Sequence, residues 1–244
     1  MIPLRPYQLE AIERVRKEIR SGAKRVLVVA ATGAGKTVLA SHIIVRSVSG
    51  GRRVLFVAHR RELIDQCYRK LLASGMGESK VGVIMAGDDR RHPRAPVQVA
   101  SIDTLRNRTK PKADIVIVDE AHRALAKSYR DLAAEYPKAI HLGLTATPYR
   151  ADGKGLGDAY EALVVVASPR ALIAEKFLVE PIVYTVPDSQ LPDLSRVKVK
   201  GGDYDEKALA EAVDRQVLVG NIVENWLKRA AGLRTVAFAV SLEH

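Results

Sequence analysis

The sequence is poor in cysteine, in aromatic residues and in long apolar runs. Cys67 is the single cysteine among 244 residues, so it has no partner for an internal disulfide, and a cysteine-rich zinc site is excluded. No apolar run approaches the roughly 18 residues of a membrane span, and the first residues contain no apolar signal core. These features predict a reduced, cytoplasmic setting and no membrane partner.

Acidic residues are also scarce relative to basic ones. The chain has 39 lysines and arginines against 28 acidic residues, which gives a net charge of +11. Such an excess favours polyanions as partners, with nucleic acid first and an anionic membrane surface second. Because aromatic residues are only 5% of the chain, we expect base stacking to be a minor part of any nucleic-acid contact.

Apolar runs alternate with helical patterns over the first two thirds of the chain. Several runs are continuously apolar, as strands covered on both faces are. This alternation predicts an α/β fold with a parallel sheet and helices on both faces. The expected strands are 25–31, 53–58, 81–85, 97–100, 115–119 and 140–145, and the expected helices are 6–19, 38–48, 60–73 and 128–135.

The composition changes after this region. A glycine-rich loop is expected at 151–157, and a polar loop at 187–204. The remaining patterns predict a short helix after residue 169, an extended segment at 179–186, a helix at 206–231 and a strand at 235–240. We expect a first domain over 1–167, then a linker and a second domain that is cut short over 168–244. The final residues, 242–244, fit either a native end or the start of a histidine tag.

The strongest motif is the segment 30–37, Ala-Ala-Thr-Gly-Ala-Gly-Lys-Thr, between an apolar strand and a helical pattern. Backbone N–H groups at such a helix start bind phosphates, with Lys36 on the β- and γ-phosphates and the Thr37 hydroxyl on Mg²⁺. Ala30 stands where the usual pattern has glycine. The alternative is a turn that binds nothing. The expected nucleotide-binding residues of the loop are Thr32, Gly33, Ala34, Gly35, Lys36 and Thr37.

Asp119 and Glu120 follow the apolar run 115–118 directly. A strand that ends in two acids places them at the same sheet edge as the phosphate loop. There Asp119 would hold Mg²⁺ and Glu120 would orient and deprotonate the attacking water. The alternative is a solvated acidic turn. With Lys36, these acids are the candidate catalytic residues.

A third strand end carries Thr145 and Thr147, in the segment Gly-Leu-Thr-Ala-Thr-Pro at 143–148. Their hydroxyls are expected to bond to the two acids, so that the nucleotide state is felt elsewhere in the chain. Taken by itself, this segment also fits a simple strand-end turn closed by proline.

The order of these motifs resembles motifs I, II and III of superfamily 2 helicases and translocases. The resemblance implies a RecA-like P-loop NTPase fold, followed by the start of a second RecA-like domain, and ATP and Mg²⁺ as cofactors. It also implies that His122, Thr145 and Thr147 couple ATP hydrolysis to the rest of the motor. The segment 148–153 is similar to the bacterial and phage branch that is related to restriction-enzyme motor subunits.

Weaker motifs extend the resemblance over essentially the whole chain. The segment 4–8 is similar to an element in which a glutamine reads adenine, which implies this role for Gln8, with Arg5 beside it. Segments 54–63 and 99–105 resemble nucleic-acid-contacting motifs, and 236–244 resembles motif IV. The implied contacts to the nucleic-acid backbone are His59, Arg60, Ser101 and Thr104.

The resemblance predicts an ATP-dependent DNA helicase or translocase core. Motifs V and VI, the second of which carries an arginine finger in the family, have no counterpart in these residues, so a binding module with little or no turnover is the alternative. A metabolic P-loop kinase is a third reading. The basic clusters 90–94 and 106–112 argue against the kinase, although they also fit solvated loops. The sequence does not show whether the nucleic acid is DNA or RNA, and it does not show the oligomeric state.

Overall fold

The computed structural model describes residues 3–123, 127–149, 155–184, 192–195, 197–200, 203–213 and 216–238. The chain divides into two compact units, Met1–Glu180 and Pro181–His244. The first unit runs past the expected boundary at 167, and the division into a first and a second domain stays a prediction. None of the helices in the described ranges is long and apolar enough to cross a membrane.

The first unit is built on a seven-stranded sheet in which every pairing is parallel. Its spatial order is β3-β4-β2-β5-β6-β1-β7. The strands are β1 (Arg25–Val29), β2 (Val54–Ala58), β3 (Val81–Ile84), β4 (Val97–Ser101), β5 (Ile115–Asp119), β6 (Ile140–Thr145) and β7 (Ala162–Val165). The six predicted strands are confirmed, and β7, which the sequence analysis missed, adds an outer strand beside β1.

Six helices cover the two faces of this sheet. They are α1 (Pro6–Arg20), α2 (Lys36–Ser49), α3 (Arg61–Ala73), α4 (Ile102–Arg106), α5 (Lys127–Glu135) and α6 (Pro169–Ala174). Core residues from α1, α2, α3 and α6 pack with Val54 and Phe56 on one face. The alternate residues of the same strand, Leu55 and Val57, pack with α4 and α5 on the other. Because successive side chains point to opposite faces, a strand that is covered twice must be apolar throughout.

The second unit contains a two-stranded antiparallel hairpin and two helices. These are β8 (Val199–Lys200), β9 (Asp203–Tyr204), α7 (Glu206–Val213) and α8 (Gln216–Ala230). The helix predicted over 206–231 is therefore two helices, and the hairpin lies in the stretch predicted as a loop.

Two other predictions for the end of the chain differ from the structure. Residues 179–184 form no strand, and 185–186 lie outside the described residues. Residues 235–238 form no strand either, and 239–240 are likewise outside. Apolar sequence alone does not make a strand, because a strand needs a hydrogen-bonding neighbour; Val236 and Phe238 are 79% and 96% exposed. Of the loop predicted at 151–157, residues 151–154 lie outside the described residues.

Candidate functional site

The predicted site residues lie at one edge of the sheet, where all its parallel strands end. The ends of β5, β6 and β1 form what we call the P-loop edge, and they carry Asp119, Thr145 and the phosphate loop. The ends of β3, β4 and β2 form the distal edge, which carries the predicted nucleic-acid contacts. In open parallel sheets ligands bind at this carboxyl edge, so the placement agrees with the predicted chemistry.

The phosphate loop turns into α2 at Gly35. This residue has φ +83° in the left-handed region, and α2 begins at Lys36. The left-handed backbone therefore favours glycine, and a Cβ atom at position 35, 2.6 Å from the Gln8 Nε2 atom, would also displace the Gln8 amide. Thr32 and Gly33 are exposed, Thr37 is half-buried and Ala34 is buried. The loop therefore presents the start of α2, with its unpaired N–H groups, to solvent.

Lys36 and Glu120 bind each other across the P-loop edge. The Lys36 Nζ atom donates to the Glu120 Oε1 atom at 3.0 Å, and the two side chains are 18% and 27% exposed. Glu120 has φ +53°, an uncommon conformation for this residue type. Its backbone N–H donates to the Asp119 Oδ1 atom at 3.1 Å. The turn after β5 thus directs the two neighbouring carboxylates differently, one into the protein and one toward Lys36.

Asp119 is the buried member of the pair of acids. It is 7% exposed. Burial and the neighbouring charge of Glu120 raise the pKa of Asp119, while Lys36 opposes that rise. A buried carboxylate with few partners is poorly solvated as an anion, so it gains from a nearby cation. Asp119 therefore fits a Mg²⁺ ligand.

His122 connects Glu120 with Thr145. The His122 Nδ1 atom lies 3.3 Å from Glu120 Oε2 and 3.5 Å from Thr145 Oγ1. The Thr145 hydroxyl donates to the Thr147 carbonyl at 2.8 Å and accepts the Thr147 N–H at 3.1 Å. Since a hydroxyl has one proton, Thr145 can only accept from His122, so the Nδ1–H is shared between Glu120 and Thr145. The link that was expected to run directly from the threonines to the acids runs from Thr145 through His122, and the Thr147 contacts are made by its backbone.

Gln8 is placed under the phosphate loop. Its Nε2 atom donates to the Ala34 carbonyl at 2.8 Å, and its Oε1 atom accepts the Arg5 N–H at 3.0 Å. The residue is 3% exposed. The amide thus uses one donor and one acceptor within the protein. Gln8 holds α1 against the loop, and its reading of adenine stays a prediction.

Three residues that the sequence analysis missed lie at this end of the loop, and two of them, Tyr7 and Leu178, contact it. The Tyr7 hydroxyl donates to the Ala34 carbonyl at 3.2 Å and accepts from Arg5 Nη1 at 3.1 Å. The Phe177 ring lies 4.6 Å from the Arg5 guanidinium carbon and packs edge-on against Tyr7. A Cβ atom at Gly33 would lie 2.7 Å from the Leu178 Cδ2 atom. Tyr7 is one residue from Gln8 and was within reach of motif reasoning, but Phe177 and Leu178 follow α6, and no sequence pattern joins them to the loop.

The four predicted nucleic-acid contacts lie at the distal edge. Arg60 is exposed, and His59, Ser101 and Thr104 are half-buried. The Thr104 hydroxyl accepts the Ala86 N–H at 3.2 Å, which leaves its proton available to an acceptor such as a phosphate oxygen. Ser101 precedes α4, and His59 and Arg60 join β2 to α3.

Arg90, in the basic cluster 90–94, has a structural role. Its guanidinium binds Asp65 and Asp88 and lies 4.7 Å above the Tyr68 ring. The hydrogen bond from Arg90 lowers the pKa of Asp88. The charge of Arg90 is therefore neutralised within the protein, whereas Arg91, His92 and Arg94 are exposed.

A family model described as "Type III restriction enzyme, res subunit" matches residues 1–150. The chain belongs to this family. The putative mitochondrial ATP-dependent helicase irc3 of Schizosaccharomyces pombe is 29% identical over 261 residues. That match covers 100% of this chain and 42% of the relative, so the chain spans less than half of that relative. The predicted resemblance to helicases and restriction-enzyme motor subunits is confirmed.

Solved helicase structures share the fold. The UvsW helicase of bacteriophage T4 superposes with a TM-score of 0.58 at 17% identity, over 67% of this chain and 60% of that one. The Type ISP restriction-modification enzyme LlaGI, solved as a nuclease-deletion mutant with a DNA substrate mimic, gives 0.54 at 16% identity, over 93% of this chain and 23% of that one. The expected RecA-like α/β fold is thereby confirmed for the first unit, which is a helicase-type core.

Proposed function

We propose that this chain is the ATP-binding core of a DNA helicase or translocase. In this proposal, ATP is hydrolysed at the P-loop edge, and hydrolysis is coupled to binding of a nucleic-acid backbone at the distal edge. The observation that carries the proposal is the 3.0 Å ion pair between Lys36 and Glu120, which unites two motifs that are 84 positions apart. Hydrolysis of ATP needs a cation on the phosphates and a base for the attacking water, and this pair brings the two groups together.

The phosphate loop would bind the triphosphate through the N–H groups at the start of α2 and through Lys36. Thr37 and Asp119 would hold Mg²⁺, which in nucleotide sites takes one or two carboxylates and completes its shell with phosphate oxygens and water. ATP would supply the phosphoanhydride bond, and Mg²⁺ would neutralise the negative charge that develops on the phosphates. The buried, poorly solvated carboxylate of Asp119 supports this assignment.

Glu120 would act as the general base. Phosphate oxygens arriving at the loop would compete with Glu120 for Lys36 and so release the carboxylate to accept a proton from the attacking water. When Glu120 changes partner, the shared His122 Nδ1–H would shift toward Thr145, whose strand lies between the strands of the loop and the acids. This exchange would carry the state of the nucleotide into β6.

A nucleic-acid strand would lie along the distal edge. The net charge of +11 supports a polyanionic partner, and the LlaGI structure contains a DNA substrate mimic. Arg60 and the Thr104 hydroxyl suit phosphate oxygens, which provide contact without sequence readout. The assignments of residues 168–244 to a linker and an incomplete second RecA-like domain, and of the protein to the cytoplasm, are part of the same proposal.

The test is the rate of ATP hydrolysis by the chain, with and without single-stranded DNA. Stimulation by DNA, lost in Lys36→Ala, is the expected result. Absence of stimulation, together with unchanged hydrolysis in Lys36→Ala, would contradict the proposal. Saturable binding of ATP and DNA by the 244-residue chain with hydrolysis at background would favour the alternative, a binding module with little or no turnover.

A further inference from the structure

A pocket of about 320 Å³ opens at the outer end of the distal edge, beside the predicted nucleic-acid contact Thr104. Its apolar floor includes Ile84 at the end of β3, with Pro93 and Pro111, while the side chains of Val83 and Met85 pack into the core on the other face of the sheet. Its size is at the lower end of the roughly 300–1,000 Å³ of small-ligand pockets. It therefore has room for one small planar group and not for a duplex.

The rim of the pocket is basic, and the described residues that line it include no acid. Arg91 and His92 stand on one side, and Arg108 and Lys110 on the other. Arg91, His92 and Arg108 are exposed. An apolar floor below a basic rim matches an unpaired nucleotide, which has an uncharged base and a negatively charged phosphate on either side of it.

Polar contacts hold the walls of the pocket in place. Gln98 is 4% exposed, and its Nε2 atom donates to the carbonyls of His92 and Ala95, at 2.8 and 3.2 Å. The Val83 N–H donates to the Arg90 carbonyl at 2.7 Å. On the other side, Lys110 Nζ donates to the carbonyls of Arg106 and Arg108. These contacts hold the pocket open in advance, which lowers the entropic cost of binding.

We propose that this pocket takes one unpaired base of a bound DNA strand, while Arg91 and Arg108 bind the flanking phosphates. The inference rests on the proposed nucleic-acid binding and adds a base contact to a surface otherwise suited to phosphates. Thr104 joins the two, because it lines the pocket and is also a predicted backbone contact. Aliphatic side chains can cover any of the four bases. The contact therefore favours a strand with bases over an abasic strand, without distinguishing one base from another.

The test compares two single-stranded oligonucleotides of about ten residues, within the usual range of site sizes. One is oligothymidine, and the other has the same backbone with abasic residues. The wild-type chain should prefer oligothymidine by about tenfold, as expected for one bound base. Equal affinity for the two oligonucleotides would contradict the proposed base contact in the pocket and would leave the proposed backbone binding standing. Binding of neither would overturn both this inference and the proposed nucleic-acid binding.

Ile84→Lys separates the base contact from charge. It removes apolar floor and adds a positive charge, so the preference for oligothymidine should fall to nearly one, although the chain has become more basic. A preference that stays at the wild-type value in a variant with a normal thermal melt would overturn the proposal.

Arg91→Ala/Arg108→Ala keeps the proposal falsifiable if Ile84→Lys does not fold, because both side chains are exposed. This variant should bind both oligonucleotides about tenfold more weakly than the wild type, for two lost phosphate contacts. The matched control is Arg20→Ala/Lys138→Ala, which removes the same charge from exposed positions that precede β1 and β6, at the opposite edge of the sheet. Equal losses in the two variants would overturn the assignment of Arg91 and Arg108.

Discussion

The P-loop edge and the distal edge, which together form the carboxyl edge of the sheet, are built differently. At the P-loop edge the functional side chains bind one another, from Lys36 to Glu120, to His122 and to Thr145. At the distal edge some polar side chains hold the backbone instead. Thr104 and Arg61, for example, both bond to the backbone of Ala86, at 3.2 and 3.1 Å.

This difference fits two kinds of chemistry. Hydrolysis of a phosphoanhydride needs a few groups held in exact mutual positions, and a change in one must reach the others. Binding along a phosphate backbone needs several separate charges and hydroxyls, each of which contributes a small share. We therefore expect single substitutions to have large effects at the P-loop edge and small effects at the distal edge.

Glu120→Gln should have the largest effect. The amide keeps the shape of the side chain but cannot accept a proton, so ATP hydrolysis should fall by about 10²–10⁴-fold while ATP still binds. Phosphate release and binding of a fluorescent ATP analogue measure the two properties. A variant that hydrolyses ATP at the wild-type rate would show that Glu120 is not the base.

Asp119→Asn should lower Mg²⁺-dependent hydrolysis by about tenfold or more, because a neutral amide is a poor Mg²⁺ ligand. The same substitution should leave the stability of the fold unchanged or raise it. The pKa of Asp119 is raised in the folded chain, so the folded chain binds this proton more tightly than the unfolded chain does. Stability from this group therefore falls as pH rises from the ordinary aspartate pKa through the raised one.

The melting temperature of Asp119→Asn should accordingly equal or exceed that of the wild type at pH 7 in the presence of EDTA. The difference should shrink toward about pH 4, near the ordinary aspartate pKa, because the pKa of Asp119 is raised and its carboxyl in the folded chain is then mostly protonated and neutral like the amide. Thermal melts at the two pH values measure it. A melting temperature several degrees below that of the wild type at pH 7 would contradict the burial argument.

Gly143→Ala should destabilise the fold beneath the P-loop edge. Gly143 lies on β6, and a Cβ atom there would lie 2.7 Å from Cε1 of the Tyr160 ring, which is a rigid group. Overpacking of this kind costs about 1–3 kcal/mol. The matched control is Gly157→Ala, where a Cβ atom would meet nothing within 4 Å. Urea unfolding of both variants measures the difference, and equal stabilities would contradict the close packing of Tyr160.

Arg60→Ala should have the smallest effect. Loss of one phosphate contact should weaken single-stranded DNA binding by roughly two- to fivefold and lower the salt dependence by about 0.7 in slope. Arg20→Ala is the control for simple charge loss, and fluorescence anisotropy at several salt concentrations is the measurement. A loss of a hundredfold would mean that the distal edge depends on one residue, as the P-loop edge does.

The sequence was sufficient for the fold of the first unit and for the grouping of the motifs at one sheet edge. Mainly apolar runs made β1 to β6 recognisable, and the position of both motifs at strand ends predicted that Lys36 and Glu120 would lie at the same sheet edge. The short outer strand β7 was missed although its four residues, Ala-Leu-Val-Val, are apolar like those of the other strands.

Other features depend on contacts that no local pattern encodes. The left-handed backbone of Glu120 and the sharing of one His122 proton follow from the turn after β5 in three dimensions. From a segment far along the chain, Leu178 reaches the phosphate loop and Phe177 packs on Arg5 and Tyr7 beside it. Residues 235–238, the described part of the strand predicted near the end of the chain, form no strand, because an apolar run does not by itself provide a neighbouring strand to pair with.

The central claim is that the loop ending at Lys36 is a nucleotide site, and calorimetric titration with Mg²⁺–ATP tests it most directly. The 244-residue chain should bind one equivalent, and Lys36→Ala should bind at least about tenfold more weakly, because the phosphates lose a charged partner. Lys17→Ala, which removes the same charge from an exposed position on α1, is expected to bind like the wild type. Equal affinity in the wild type and Lys36→Ala would contradict the account.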